Sequence, residues 1–219
     1  MPRVGRNLVD NQIYHIINRG NRRETVFHDR NDYERFLKLL FESKERYNIK
    51  YYAYCLMPNH FHLVIYTKIA ENLSNALHWI SSSYVRYYNK RYSLSGHLWQ
   101  GRYKSFLVQE ETYLLILLKY VDANPLRAKI VHDCIDYKYS SAKNRVLEIP
   151  DEIISSPPIS LPANWHNFIN EIENKINIDT INNSIERQTP LGDENWQYMM
   201  CKRYNLESTL NPVGRPKRN

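Results

Sequence analysis

The 219 residues carry only three cysteines, Cys55, Cys134 and Cys201. Their number is odd and no C-x-x-C pair occurs, which argues against a disulfide framework and against a thiolate zinc site. A reducing, cytoplasmic setting fits that usage. Long apolar runs are missing too: none approaches the roughly 18 residues needed to span a bilayer, so no membrane partner is expected. The opening residues Met1-Pro2-Arg3-Val4-Gly5-Arg6-Asn7 lead into no apolar signal-peptide core. No internal repeat is visible.

What is present is basic and rich in tyrosine. The length suits one domain, or one domain with a small appendage. Formal net charge is +7 and the sequence pI is about 9.2. That excess favours a polyanionic partner. The 18 tyrosines, interleaved with Lys and Arg, suit stacking on bases and contact with phosphates; packing within a sheet would use the same residues.

The chemistry gathers on Met57-Pro58-Asn59-His60-Phe61-His62-Leu63-Val64. The run from His60 reads as a β-strand, and strand side chains alternate faces. His60 and His62 therefore share one face, while Phe61, Leu63 and Ile65 point the other way into a core. Two imidazoles so placed can grip one transition-metal ion. They could equally be polar residues on a solvated face, and the spacing leaves both open.

In chain order, residues 13–17 read as a strand closed by Asn18-Arg19-Gly20-Asn21. Asn31 with Glu34 resembles a capping box, opening a helix with Phe36, Leu37, Leu39, Leu40 and Phe41 at helical spacing. Residues 50–56 form a second strand, Pro58-Asn59 the turn, and the His strand the returning hairpin arm. A second helix over 73–92 carries the stripe Leu73, Leu77, Ile80, Tyr84 and Tyr88. Arg86, Lys90 and Arg91 lie off that stripe, facing either phosphates or solvent. A glycine-punctuated loop, a fourth strand over 103–109 and a nearly all-apolar third helix over 112–124 follow.

The order β-α-β-β-α-β is that of an α+β, ferredoxin-like core, an antiparallel sheet with helices on one face. Residues 1–145 are expected to form this domain and 146–219 an extension. Within the extension, 145–190 reads as a loose linker with one helix over 165–175. A last short helix spans 193–204. The tail Gly214-Arg215-Pro216-Lys217-Arg218 suits an A·T-rich minor groove or a frayed basic terminus.

The segment Lys119-Tyr120-Val121-Asp122-Ala123-Asn124-Pro125-Leu126-Arg127-Ala128 supplies a second set of groups. Tyr120 and Asn124 are four apart and share a helix face, although the helix kinks or ends before Pro125. If this helix packs over the sheet, His60, His62 and the Asn124 side-chain oxygen form a facial N,N,O metal site with open positions. Tyr120 is then the nucleophile. Its phenol is mostly protonated at neutral pH, and a divalent ion on a scissile phosphate assists attack. Tyr113, seven residues earlier, is the alternative nucleophile, and a core tyrosine is the bland reading of either.

Together these residues resemble a known family. His60-Phe61-His62 looks like the His-hydrophobe-His motif of the single-tyrosine HUH transposases, and Tyr120 to Ala128 looks like their tyrosine segment. Trp99-Gln100-Gly101-Arg102-Tyr103-Lys104-Ser105 also matches. The chain is most similar to the REP-associated tyrosine transposases, the branch related to the IS200/IS605 transposases. The resemblance implies a bacterial enzyme that cuts and rejoins single-stranded DNA beside imperfect palindromes folded as hairpins. It implies Mg²⁺ or Mn²⁺, with His60, His62 and Asn124 as ligands and Tyr120 as nucleophile. A monomer is expected, with a homodimer as the alternative. Asp122 departs from the pattern; it would be an added ligand or a solvent-facing carboxylate.

Two other classes compete. One is a non-catalytic DNA-binding regulator on the same fold. The other is an RNA-binding module stacking bases on Tyr51, Tyr52 and Tyr54. Arg19, Arg102, Lys104, Arg127 and Arg215 are the candidate contacts to DNA, since guanidinium suits planar recognition of phosphate.

Overall fold

A computed structural model describes residues 8–171 and 174–211. Four strands, β1 (Gln12–Arg19), β2 (Ile49–Met57), β3 (His60–Thr67) and β4 (Lys104–Val108), form one sheet in the order β2-β3-β1-β4. Every neighbouring pair is antiparallel. Helix α1 (Arg30–Tyr47) joins β1 to β2, and α2 (Ala70–Tyr92) joins β3 to β4. This is the ferredoxin-like arrangement, and the two connecting helices share one face of the sheet.

Asp29 caps α1, accepting from the backbone N–H groups of Asn31 and Asp32. The cap thus lies two residues before the Asn31–Glu34 pair, because Asp29 already satisfies the orphan amides of the first turn. Phe36, Leu39 and Leu40 of α1 are buried, as is the whole predicted stripe of α2. They pack on Tyr14, Ile16, Phe61, Leu63 and Ile65 of the sheet. Arg91 does not face solvent for a phosphate: it pairs with Asp29 and, at 3.0 Å, with the buried Asp32. Arg86 and Lys90 are exposed.

The opposite face is covered by the additional helices. Helix α3 (Thr112–Asp122) is followed by the single turn α4 (Asn124–Arg127), then α5 (Ala142–Val146), α6 (Trp165–Asn170), α7 (Lys175–Arg187) and α8 (Glu194–Arg203). Leu114, Leu117, Leu118 and Val121 of α3 pack on Ile13, Ala53, Cys55, Val64 and Phe106. β1 is thereby buried on both faces. Tyr51 and Tyr54 lie in the core under α1 and α2, and Tyr52, beside a register shift in β2, lies in the core under α3. None is a platform for an RNA base.

The stretch 145–190 is not a loose linker. Ile154 bridges β2 at Tyr51, Trp165 and Ile169 enter the second core, and Leu191 bridges the β4 edge at Val108. The helix expected over 165–175 ends at Asn170, and a longer one follows. Asn174 caps α7, whose Ile178, Ile181 and Ile185 return at i, i+3 and i+7 to one face. The abundant Asn around those isoleucines masked the helical period. Helix α8 lies inside the predicted 193–204. Arg215 and the Gly-Arg-Pro tail lie outside the described residues.

Candidate active site

The site sits where β1 ends and β3 begins, beside α3. On β3, His60 and His62 face α3, and the intervening Phe61 faces the other core, as a period of two requires. Their ring centroids are 5.0 Å apart. Tyr120, on the last turn of α3, brings its ring centroid within 5.7 Å of that of His62. A cavity of about 690 Å³ is lined by His60, His62, Tyr120 and Asn124 together with Arg19, Arg102, Lys104 and Arg127. One chain therefore supplies both imidazoles, the phenol and the amide. Tyr113 is not among the lining residues.

Each imidazole has a fixed neighbour. Asn59 donates through Nδ2 to the Arg23 carbonyl at 3.1 Å, which turns its Oδ1 toward His60 Nδ1 at 2.6 Å. His60 then carries its proton on Nδ1, leaving the Nε2 lone pair free. His62 Nδ1 lies 2.9 Å from Nε2 of His15 on β1. Burial, with Arg19 and Arg127 adding to it, lowers the His60 pKa to about 4. Burial first, then the neighbouring His60 and His15, holds His62 well below the usual imidazole range. Both rings are neutral at physiological pH, the form that ligates a cation.

Tyr120 is almost wholly buried. Burial raises its pKa, and the Arg127 guanidinium opposes that rise. The hydroxyl donates to Asn182 Oδ1 of α7 at 3.3 Å. Arg127 packs 3.8 Å over the Tyr120 ring centroid and donates to the Tyr120 carbonyl at 3.1 Å. Lys104 donates to the Ile185 carbonyl in the last turns of α7 at 2.9 Å. The helix absent from the sequence reading thus roofs part of the site, with Asn182, Ile185 and Glu186 in its lining.

Two residues behave differently from expectation. Asp122 is neither a ligand nor solvent-facing. It is fully buried and accepts from Ser141 Oγ at 2.7 Å, Arg145 Nε at 3.1 Å and Trp165 Nε1 at 3.0 Å. No motif in the sequence singles out His15, yet it contacts a candidate ligand, His62. Its signal was a lone polar residue between Ile13 and Ile17 on one strand face.

Among the described residues, no three His, Cys, Asp or Glu side chains cluster to hold a metal. The donor set on offer to a cation would be two imidazole nitrogens and one amide oxygen. His60 and His62 each have Nδ1 engaged inside the protein and no hydrogen-bond partner at Nε2 among the described residues. Those rings and the buried Asn124 amide open into one cavity, so the residues present fit a divalent ion that accepts mixed N and O donors.

Residues 8–124, a little over half of the chain, match the family described as "Transposase IS200 like". The chain belongs to this family. Among solved structures, the IS200-like chain is similar to a REP-associated tyrosine transposase determined with a REP hairpin bound. That match has a TM-score of 0.56 at 15% identity and covers 74% of this chain and 96% of the other. A candidate transposase from Deinococcus radiodurans R1 is 19% identical with a TM-score of 0.37, covering 58% of this chain and 92% of the other. No curated protein matches. No described helix of this IS200-like transposase is long and apolar enough to cross a membrane.

Proposed function

We propose that this transposase cleaves and rejoins single-stranded DNA beside hairpin-forming, REP-like palindromes, through a 5′-phosphotyrosine on Tyr120. The observation that carries the reading is the Tyr120 ring, 5.7 Å from that of His62, in a cavity lined by four cationic side chains. The hairpin in the similar structure supports a folded single strand as the substrate.

In the cleavage step, Tyr120 Oη loses its proton to solvent in the cavity and attacks the scissile phosphorus. The P–O3′ bond breaks, and the departing 3′ oxygen takes up a proton to become a hydroxyl. The 5′ phosphate remains on Tyr120. One phosphodiester replaces another, so a second 3′-hydroxyl can reverse the step and join strands without ATP. Arg127 stabilises the phenolate, and Arg19, Arg102 and Lys104 hold the flanking phosphates. His60, His62 and Asn124 would hold Mg²⁺ or Mn²⁺, which when bound draws charge from the non-bridging phosphate oxygens.

A non-catalytic regulator has no use for a phenol set against two neutral imidazoles. The test is a denaturing gel of the protein with hairpin-bearing single-stranded DNA from its own gene's flanks and Mn²⁺ or Mg²⁺. Wild type is expected to form a covalent adduct, and Tyr120→Phe to bind DNA without forming one. Adduct persisting in Tyr120→Phe sinks the assignment, and persistence in EDTA with both histidines replaced sinks the metal role. Binding with no adduct from wild type favours the regulator, and a preference for RNA favours the third class.

A further inference from the structure

We propose that His15 is a positioning residue for His62: it accepts the Nδ1 proton of that ring and so keeps the Nε2 lone pair turned into the cavity. This rests on the metal site proposed above. His15 and His62 lie on the paired strands β1 and β3, where Ile17 stands opposite His62 and His15 opposite Val64. The two imidazoles therefore meet diagonally on the α3 face. Their centroids are 5.1 Å apart and their planes 24° from parallel. The nitrogens His15 Nε2 and His62 Nδ1 are 2.9 Å apart, so one proton lies between them.

That proton has two possible owners. If His15 donates, neutral His62 carries its own proton on Nε2, the atom needed by a cation. If His62 donates, its Nε2 is a free lone pair and His15 holds its proton on Nδ1. His15 is 0% exposed, and its Nδ1 has no hydrogen-bond partner among the described residues. Phe106 closes over the ring edge-on at a centroid distance of 4.9 Å. A buried polar atom left alone is costly, and an apolar side chain would fill this space without that cost. Ligand orientation gives the imidazole a purpose: metal-bound histidines depend on a partner at the second nitrogen. Asn59 does the same for His60 from the outer side.

The test is Mn²⁺ affinity by calorimetry on wild type, His62→Ala, His15→Phe and His15→Gln, each checked for a cooperative unfolding transition. His15→Phe fills the space without an acceptor and is expected to weaken Mn²⁺ binding by about 10- to 100-fold. His15→Gln, which returns an acceptor oxygen, is expected to recover most of that loss; a purely structural role would not show such recovery. Wild-type affinity in a folded His15→Phe protein, with His62→Ala impaired, overturns this inference and leaves the metal site standing. Equal affinity in wild type and His62→Ala overturns the metal site and this inference with it. Should His15→Phe fail to fold, nitrogen-15 correlation spectra of wild type loaded with Zn²⁺ decide. A protonated Nδ1 on His62 is expected, and an unprotonated one overturns the assignment.

Discussion

The guanidinium of Arg127 lies 3.8 Å above the ring centroid of Tyr120. A cation so close favours the phenolate over the phenol, against the burial that raises the Tyr120 pKa. The two residues are seven apart, and the short turn α4, starting at Asn124 with Pro125 behind it, folds one back over the other. Arg127→Ala is therefore expected to slow adduct formation by about 10²-fold, the scale of losing one group that stabilises developing negative charge. It should also move the alkaline rise of the rate to higher pH. Arg127→Lys keeps the charge but loses the flat guanidinium, so it should restore part of the rate. Single-turnover cleavage across pH checks both, and an unchanged profile in Arg127→Ala would refute the assignment.

Asp122 accepts three hydrogen bonds and is fully buried. Removing the carboxylate strands the nearly buried Arg145 without its ion pair. Breaking a buried pair on one side costs about 3–5 kcal/mol. Asp122→Ala is expected to lose about that much in urea unfolding, while Mn²⁺ affinity in the folded fraction stays unchanged. A loss of metal binding at full stability would instead return Asp122 to the site.

How far the sequence led can be read at these same residues. The period of two in His60-Phe61-His62 located the imidazoles and the core side of β3, because strand geometry leaves no third choice. The α2 stripe was equally legible, since a 23-residue amphipathic helix repeats its signal many times. The four-residue spacing of Tyr120 and Asn124 predicts a shared face, and both line one cavity, although the chain breaks between α3 and α4 at Ala123. What escaped was set by distant contacts. The sequence sets Asp122 beside Tyr120 and Asn124, whereas its partners lie 19, 23 and 43 residues away. His15 gained meaning only when β1 paired with β3. Helix α7 was hidden because its apolar face is three isoleucines among asparagines, and burial against the sheet domain completes it.

Gly20 offers a separate check on how the site is framed. Its backbone φ is −57°, which any residue adopts, so space decides. A Cβ there would stand 2.4 Å from the Glu24 carbonyl oxygen and 2.6 Å from Val26 Cγ1. The Gly20 amide also donates to the Asn59 carbonyl at 2.8 Å, and Asn59 orients His60. Gly20→Ala is expected to cost about 1–3 kcal/mol, as overpacking does, and to weaken Mn²⁺ binding. Urea unfolding and calorimetry on the same sample read the two effects.

The buried imidazoles set a pH dependence of stability. Burial lowers the His15 pKa to about 3 and the His60 pKa to about 4, with His62 also well below its ordinary 6.5. Between about pH 6.5 and 4 the unfolded chain binds protons that the folded chain refuses. Their stabilising contribution is thus full above 6.5 and is lost as pH falls toward the folded values, by about 1.4 kcal/mol per pH unit for each imidazole. His15→Phe should flatten that slope by one imidazole's share. A slope identical to wild type would show that His15 titrates normally in the folded protein.

Salt dependence separates three of the four cations that line the cavity, Arg19, Arg102 and Lys104. Each phosphate contact to a single strand contributes about −0.7 to the slope of log affinity against log salt. Arg102 is exposed at the rim, so Arg102→Ala should lower the slope by about that amount and leave stability alone. Lys104 has a second role, since its ammonium also holds the Ile185 carbonyl of α7 at 2.9 Å. Lys104→Ala should lower the salt slope and also speed amide exchange across α7. Arg19 acts on His60 through its charge in addition to its proposed phosphate contact, so Arg19→Ala should lower the slope while making His60 easier to protonate. Fluorescence anisotropy with labelled hairpin DNA from 50 to 300 mM salt, a range of order the phosphate effect requires, distinguishes the three. If none of the variants changes the slope, the DNA lies elsewhere on the basic surface and the cavity is not its path.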